Sequence, residues 1–469
     1  MAYKTTIGLE IHAELKTVSK MFCGCKNDPD EMKPNHNICP VCTAQPGTLP
    51  VINKKAVEHV LRVGKAVGSK LADFTEWDRK NYFYPDIPKN YQISQYKYPL
   101  VQGGSIAGVE LTRIHLEEDT GSSRHDAGDY SLVDYNRAGV PLMELVTEPV
   151  IHDAETAMKF AKELQLLLRY LGASDANMEK GEMRVEANIS ISETETFGTK
   201  VEVKNLNSFK SVGDAIAYEI KRHEEVYSRG EKIVQETRGW DESKGKTFSQ
   251  RKKESANDYR YFPDPDLPKL ITTEVFGKNY EKLPALPQLP WEKREVLQKE
   301  YGFPEHVTEI YVSDFLLGTF FDEVVALMKG DKELIKLASN YISSDISSLA
   351  KAEGKGTGKL TAQTFTDLMK MTKAGDLSSR GAKDTLAIMY KDGGEAKGVA
   401  EQNGLIQKSD TEALKKIVQA VIAANPTVVA DYKSGKESLL QFLVGQGMKE
   451  SKGSANPQLL ATLFKRALD

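Results

Sequence analysis

Gly8-Leu9-Glu10-Ile11-His12-Ala13-Glu14-Leu15 alternates apolar and polar side chains along most of its length. A period of two belongs to an extended strand, whose successive side chains point to opposite faces. Leu9, Ile11, Ala13 and Leu15 therefore enter a core, and Glu10, His12 and Glu14 share the other face at intervals of about 7 Å. The same alternation returns at Val109 to Glu117, Ser131 to Arg137, Arg184 to Ser192 and Thr199 to Lys204. Between these segments, apolar residues at helical spacing predict helices near Ala56 to Val67, Ala157 to Tyr170 and Val212 to Tyr227. The mixture predicts an α+β fold, an N-terminal, mainly antiparallel β-sheet cradle with flanking helices.

At 469 residues, the chain exceeds the roughly 250–300 residues that one core accommodates, so it should divide. Pro263, Pro265, Pro268, Pro284, Pro287 and Pro290 crowd one passage. Proline removes backbone donors and resists regular structure, which puts the first boundary at the end of that passage, making 1–290 the cradle. Everything after it reads as short helices, an all-α domain at 291–404 and a small helical tail domain at 405–469. The helix stops are Gly330, Gly354 to Gly358, Gly393-Gly394, Gly404, Asn425-Pro426 and Gly453. Ser409 with Glu412 forms a capping-box pattern ahead of Leu414, Ile417, Val418, Val421 and Ile422, and Asn456-Pro457 starts another helix.

A charged fraction of 28% and a mean hydropathy of −0.44 describe a soluble chain. No apolar run is long enough to span a bilayer, and Met1-Ala2-Tyr3-Lys4 leads straight into the first strand pattern without a signal-peptide core. A cytoplasmic location is the expectation. The net charge of −4 argues against nonspecific coating of nucleic acid. It hides an asymmetry: residues 1–350 carry 45 basic against 54 acidic side chains, and residues 351–469 carry 18 against 13. Such a split suits a polyanion held at one end and an acidic, metal-holding site at the other; chance surface composition is the alternative.

All four cysteines fall in Cys23-Gly-Cys25 and Cys39-Pro-Val-Cys42. Two close pairs match the tetrahedral demand of a structural Zn²⁺, with unliganded or redox-active thiols as the alternative and His36 as a substitute ligand. No cysteine is then left to serve as a glutaminase nucleophile.

Strand arithmetic also puts Arg113, His115, Glu117 and Asp119 on one face, and Arg184, Glu186 and Asn188 on another. Glu144 stands inside the apolar run Val140-Pro-Leu-Met-Glu-Leu-Val146. If that run is a strand, its carboxylate is buried and needs a cation, a donor or a proton. Carboxylates with one imidazole suit Mg²⁺ or Mn²⁺ better than zinc, while ion pairs with nearby Arg and Lys are the competing account.

Taken in order, Ile7 to Lys16, Asp78-Arg-Lys-Asn-Tyr-Phe-Tyr-Pro-Asp86, Tyr91-Gln-Ile-Ser-Gln95, His115-Leu-Glu-Glu-Asp-Thr-Gly121, Asp134-Tyr-Asn-Arg137, Lys204-Asn-Leu-Asn-Ser208 and Asp258-Tyr-Arg-Tyr-Phe-Pro263 resemble the GatB family, the tRNA-holding subunits of the bacterial and organellar tRNA-dependent amidotransferases. The resemblance covers the first domain nearly end to end, and the helical part by composition and position. It implies a chain that binds Asp-tRNA(Asn) or Glu-tRNA(Gln), phosphorylates the side-chain carboxylate with ATP and lets ammonia displace phosphate. Ammonia would be channelled from an amidase-type A subunit, with a small C subunit wrapping the two in a heterotrimer. His12, Glu117 and Glu144 match the family's Mg²⁺ ligands. Glu10 and Glu186 match its acidic floor, Glu186 standing where the family more often has Asp. Lys80 and Lys89 match cations at the ammonia-channel mouth, and Arg79 and Arg184 are the candidates for binding ATP. The run Tyr82-Phe83-Tyr84 is read as core packing rather than base stacking.

Two rival readings stand beside this one. A self-contained ligase would need a phosphate loop, and Gly354-Lys-Gly-Thr-Gly-Lys359 lacks its spacing, follows no strand and is followed by Leu360 where a hydroxyl is required. A non-catalytic tRNA-binding scaffold would need only the basic tail.

Overall fold

The computed structural model describes residues 3–124, 128–252, 259–354, 356–407, 411–451 and 455–468. The chain falls into two compact units, Met1–Pro290 and Trp291–Asp469. It is an α+β protein; among the described residues, the strands are gathered in the first unit and the second is helical, with one isolated bridge between Leu377 and Ile406.

The first unit is built on a ten-stranded sheet. Its long strands are β1 (Lys4–Glu14), β2 (Val109–Glu118), β3 (Pro141–Thr147), β4 (Met183–Ser192), β5 (Val201–Leu206), β6 (Glu236–Asp241) and β7 (Lys246–Lys252). They lie in the order β7-β6-β5-β4-β1-β3-β2, with the short strands Val101–Gln102 and Lys70–Leu71 continuing past β2. All these pairs are antiparallel except β5 with β6. β1 is central because its alternation gives it one wholly apolar face. Ile7, Leu9, Ile11 and Ala13 are at most 1% exposed, each such burial contributing about 1.5–3 kcal/mol for a Leu or Ile.

Three long helices cover the unit: α1 (Lys54–Ala66), α2 (Ala154–Tyr170) and α3 (Phe209–Ser228). α1 packs on β2, α3 packs on β4, β5 and β7, and α2 packs on α3. Each starts on a side-chain cap that satisfies free backbone donors: Asn53 for α1, Asp153 for α2 and Ser208 for α3.

Two expectations change. Of Ser131 to Arg137, only Leu132–Asp134 is strand, in a separate hairpin with Ser122–Arg124. The Asp134 carboxylate accepts from the backbone N–H of Asn136 and of Asn35, and this local bonding replaces the ladder. The proline-rich passage, expected to lack regular structure, supplies two short edge strands: Phe262–Pro263 pairs with Asp78-Arg79, and Leu270–Ile271 pairs with Phe74–Thr75. Edge positions are where a missing N–H costs least.

In the second unit, Gly354 and Gly393 close helices Ser347–Glu353 and Ser379–Asp392, both with positive φ. Asn425 precedes helix Pro426–Lys433, and the Asn456 side chain caps Pro457–Leu468 by accepting from the N–H groups of Gln458 and Leu459. Leu414, Val418 and Val421 pack with Leu443, Leu460 and Phe464 in a core of their own. The predicted cap at Ser409, the stop at Gly453 and motif residue Asp258 lie outside the described residues. The sequence carried no warning of the π-turn Ile342–Ile346, where the Ser343 and Ser344 hydroxyls bond back to the carbonyls of Ser339 and Asn340. Among the described residues, no helix is long and apolar enough to cross a membrane.

Candidate active site

The polar face of β1 opens the site. His12 stands directly across from Arg184 on β4 and Glu144 on β3, and Glu144 stands across from His115 on β2. Four charged or titratable side chains thus form one row over four neighbouring strands. One step along, Glu10 faces Glu186 across β1 and β4. The apolar run around Glu144 is indeed a strand, and Glu144 is only 4% exposed.

These side chains touch. His12 Nε2 lies 3.3 Å from Glu144 Oε2 and 3.7 Å from both Glu10 Oε1 and Glu117 Oε1. His115 Nε2 lies 3.5 Å from Glu144 Oε2, and an Arg113 guanidinium nitrogen lies 3.6 Å from Glu144 Oε1. Burial would push the Glu144 carboxyl up, but His115 and His12 beside it hold it well below the usual carboxylate range. Burial pulls the His12 imidazole down, and its hydrogen bond and charge interaction with Glu144, helped by Glu10 and Glu117, more than offset this and lift it to about 9. His115, more fully enclosed, is pushed down to about 4 by burial. Burial, with Glu144 and Glu186 nearby, raises Glu10 to about 7.

Glu10, His12 and Glu144 form one group able to hold a metal ion, and His115, Glu117 and Glu144 form a second, the ligand atoms of each lying within 4.8 Å of one another. The two share Glu144. Glu117 is 2% exposed, and its Oε2 has no hydrogen-bond partner, a buried valence that a cation would satisfy. The donor set, carboxylate oxygens with imidazole, fits a hard divalent ion. His115 shared a face with Glu117 in the sequence pattern, but the pattern gave no reason to place it against Glu144, since that contact comes from the pairing of β2 with β3.

Lys80 lies over the Tyr259 ring, with its ammonium 5.2 Å from the centroid. Burial opposes its charge, yet Glu117 and Glu144 keep it protonated well above the usual lysine range. Lys89 is elsewhere. It donates to Glu118 Oε2 at 2.6 Å, beside a cavity of about 190 Å³ that Cys23, Cys42 and Tyr91 also line. Arg184 pairs with Asp119 at 3.0 Å. Arg79 is outside the row, bound to Asp264 at 2.8 Å and Asp266 at 2.9 Å and stacked 4.2 Å over Tyr91. Glu186 has a partner to which the sequence assigned no role, Lys204, at 2.8 Å. The aromatic run departs from its expected packing: Phe83 is 73% and Tyr84 50% exposed, and Tyr82 alone packs, edge-on to Tyr259.

Two of the sequence motifs acquire structural reasons. The Gln95 side chain accepts from Leu116 N–H, and Gln92 donates to the Glu118 carbonyl, so Tyr91–Ser94 and the residue after it fasten the strand that carries His115 and Glu117. The four cysteine sulfurs lie within 4.8 Å of one another, and those of Cys39 and Cys42 are 3.9 Å apart. Metal–sulfur bonds of about 2.3 Å require tetrahedral edges of about 3.8 Å, so the quartet suits a structural metal site. His36 is not part of the group.

An antiparallel sheet that presents a carboxylate–imidazole row, with a cysteine quartet in the loop after its central strand, defines a catalytic platform of the α+β class. Residues 5–277 match the family model described as the GatB/GatE catalytic domain, and residues 319–468 match the GatB domain. The chain belongs to the GatB family. It is 44% identical to the B subunit of the aspartyl/glutamyl-tRNA(Asn/Gln) amidotransferase of Thermoanaerobacter sp. (strain X514), over the whole of both chains. It is 42% identical to the proteins of that name from Thermotoga maritima, over the whole of both chains, and Picosynechococcus sp., over 99% of this chain and 98% of the other.

Proposed function

We propose that this chain is the component of an ATP-dependent tRNA amidotransferase that holds Asp-tRNA(Asn), Glu-tRNA(Gln) or both and converts the attached acid to its amide. The observation that carries the reading is the convergence of Glu10, His12, Glu117 and Glu144 from three strands, with Lys80 among them. A carboxylate is a poor electrophile, so its oxygen first attacks the γ-phosphorus of ATP, releasing ADP. Ammonia then attacks the acyl phosphate carbon, phosphate leaves with the bonding pair, and the surplus proton passes to a base.

In this reading, His12, Glu117 and Glu144 hold Mg²⁺, which when bound would neutralise charge on the transferring phosphoryl group. Glu10 and Glu186 orient that site, and Lys80 supplies fixed positive charge for phosphate oxygens. Arg184, next in the row, contacts the nucleotide, while Arg79 must first give up Asp264 and Asp266 to do so. Lys89 and its cavity lie on the route by which ammonia arrives. Zn²⁺ in the cysteine quartet fixes the loop after β1. Residues 291–404 and 405–469 act as separate helical parts, the second gripping tRNA. An amidase-type A subunit supplies ammonia, a small C subunit completes a cytoplasmic heterotrimer, and no membrane is involved.

tRNA-dependent phosphate release from ATP tests this in complexes carrying Glu144→Ala or His12→Ala. A fall of about 100-fold or more is expected from loss of an electrostatic group at the phosphoryl centre. Unchanged release would instead support a scaffold that binds tRNA without chemistry.

A further inference from the structure

The motif Asp78-Arg-Lys-Asn-Tyr-Phe-Tyr-Pro-Asp86 places aromatic rings where a core would not put them. Tyr82 packs edge-on to Tyr259, with 5.9 Å between centroids, and the Lys80 ammonium lies over that same Tyr259 ring. Tyr259 meets Tyr261 at 6.1 Å, and Tyr261 stacks on Tyr96 at 4.5 Å with the rings 12° from parallel. Burial pushes the Tyr261 phenol above the usual tyrosine range, and Lys80, Glu117 and Glu144 all act on it, so the inner ring of the stack adjoins the row. The outer ring opens to solvent: Tyr96 is 51% exposed.

The support beneath these rings is anchored. The Tyr96 N–H donates to Asp78 Oδ2 at 2.9 Å. Arg260, between Tyr259 and Tyr261, has a left-handed φ of 46°, uncommon for a residue with a side chain. The Asn81 amide fixes that turn by donating to the carbonyls of Tyr259 at 3.1 Å and Arg260 at 2.9 Å. Strained backbone of this kind gathers at ligand clamps. Past Tyr82, the loop is tied again: the Tyr135 hydroxyl donates to the Pro85 carbonyl at 2.9 Å, and the Gly121 N–H donates to the Asp86 carbonyl at 2.8 Å. Between these anchors Phe83 and Tyr84 stay open to solvent.

A mononucleotide offers one base, whereas three open rings, Phe83, Tyr84 and Tyr96, suit successive unpaired bases, each of which stacks on an aromatic side chain whatever its sequence. Lys97 and Arg260, both exposed and next in the chain to Tyr96 and Tyr261, supply positive charge for the phosphates that join such bases. In an aminoacyl-tRNA the amino acid is esterified to the last ribose of an unpaired 3′ end. We propose that Phe83, Tyr84 and Tyr96 are stacking platforms for these 3′ nucleotides and bring the esterified acid to the row. This deepens the reading of the chain as a tRNA-holding component and rests on it.

Filter binding of tRNA(Asn) and tRNA(Gln) to the full-length chain, each with and without its terminal CCA, tests this. Tyr96→Ala and the double variant Phe83→Ala/Tyr84→Ala should each bind complete tRNA about 10-fold more weakly than the wild type, the worth of one stacked base. Tyr96→Phe, which keeps the ring, should bind as the wild type does, and the shortened tRNAs should bind wild type and variants alike. Alanine variants that melt like the wild type and bind complete tRNA equally well would overturn the proposal. So would an equal loss for complete and shortened tRNA, or a loss of ATP affinity, measured by calorimetry, in place of tRNA affinity. A wild type with no affinity for either tRNA would instead overturn the reading on which the proposal rests.

Discussion

A buried histidine outside the row shows how much a single side chain can be read physically. His59 on α1 is 2% exposed, and its Nε2 lies 2.9 Å from the Lys16 carbonyl, which fastens the helix to the end of β1. Burial pushes its pKa down to about 4. The unfolded chain, with a histidine pKa near 6.5, therefore binds more protons than the folded one between those values. Stability from this residue is fully present above about pH 6.5 and is lost as pH falls toward 4. The expected outcome for His59→Gln is a flatter pH dependence, with up to about 3 kcal/mol less loss between pH 6.5 and 4, measured by urea unfolding at a series of pH values. A slope identical to the wild type would show that His59 binds its proton as readily in the fold as in the unfolded chain, contradicting the depressed pKa.

At the scale of elements, packing between α1 and the sheet edge leaves little room for substitution. A Cβ added at Gly64 would stand 2.6 Å from Val101 Cγ2 and 2.8 Å from Leu71 Cδ2. Gly64→Ala should therefore cost about 1–3 kcal/mol through overpacking, despite alanine's better helix propensity. Thermal unfolding checks the sign, and a stabilised variant would contradict the packing described. The three helices and four of the five strands of the first unit that periodicity predicted exist because each has one face in the core. The strand at Leu132–Asp134 is shorter than its pattern because alternation alone ignores what an Asp or Asn side chain can offer the backbone. The paired strands of the proline-rich passage are silent in the sequence because two-residue edge strands have no period to detect.

For the whole molecule, the sequence disclosed the α+β class and the acidic faces of single strands, but not how those faces meet. Cross-strand register is a long-range property, so the contacts of His115 with Glu144 and of Lys204 with Glu186 were not legible in any one segment. The cysteine quartet was readable because its ligands are close in sequence. If that quartet holds Zn²⁺, a strong chelator should lower the melting temperature of the first unit and leave a transition of the second unchanged, as separate cores allow. Scanning calorimetry with and without chelator resolves the two, and a shift confined to the second transition would rule out the assignment. Above all, the chemistry proposed for this chain requires His12, Glu117 and Glu144, with Glu10 beside them, to grip one hard cation between them. Anomalous diffraction from a Mn²⁺-soaked crystal decides whether they do. One strong peak is expected in bonding range of His12 Nε2, Glu117 and Glu144, and a row without a peak while Mn²⁺ occupies another place in the molecule would refute that grip.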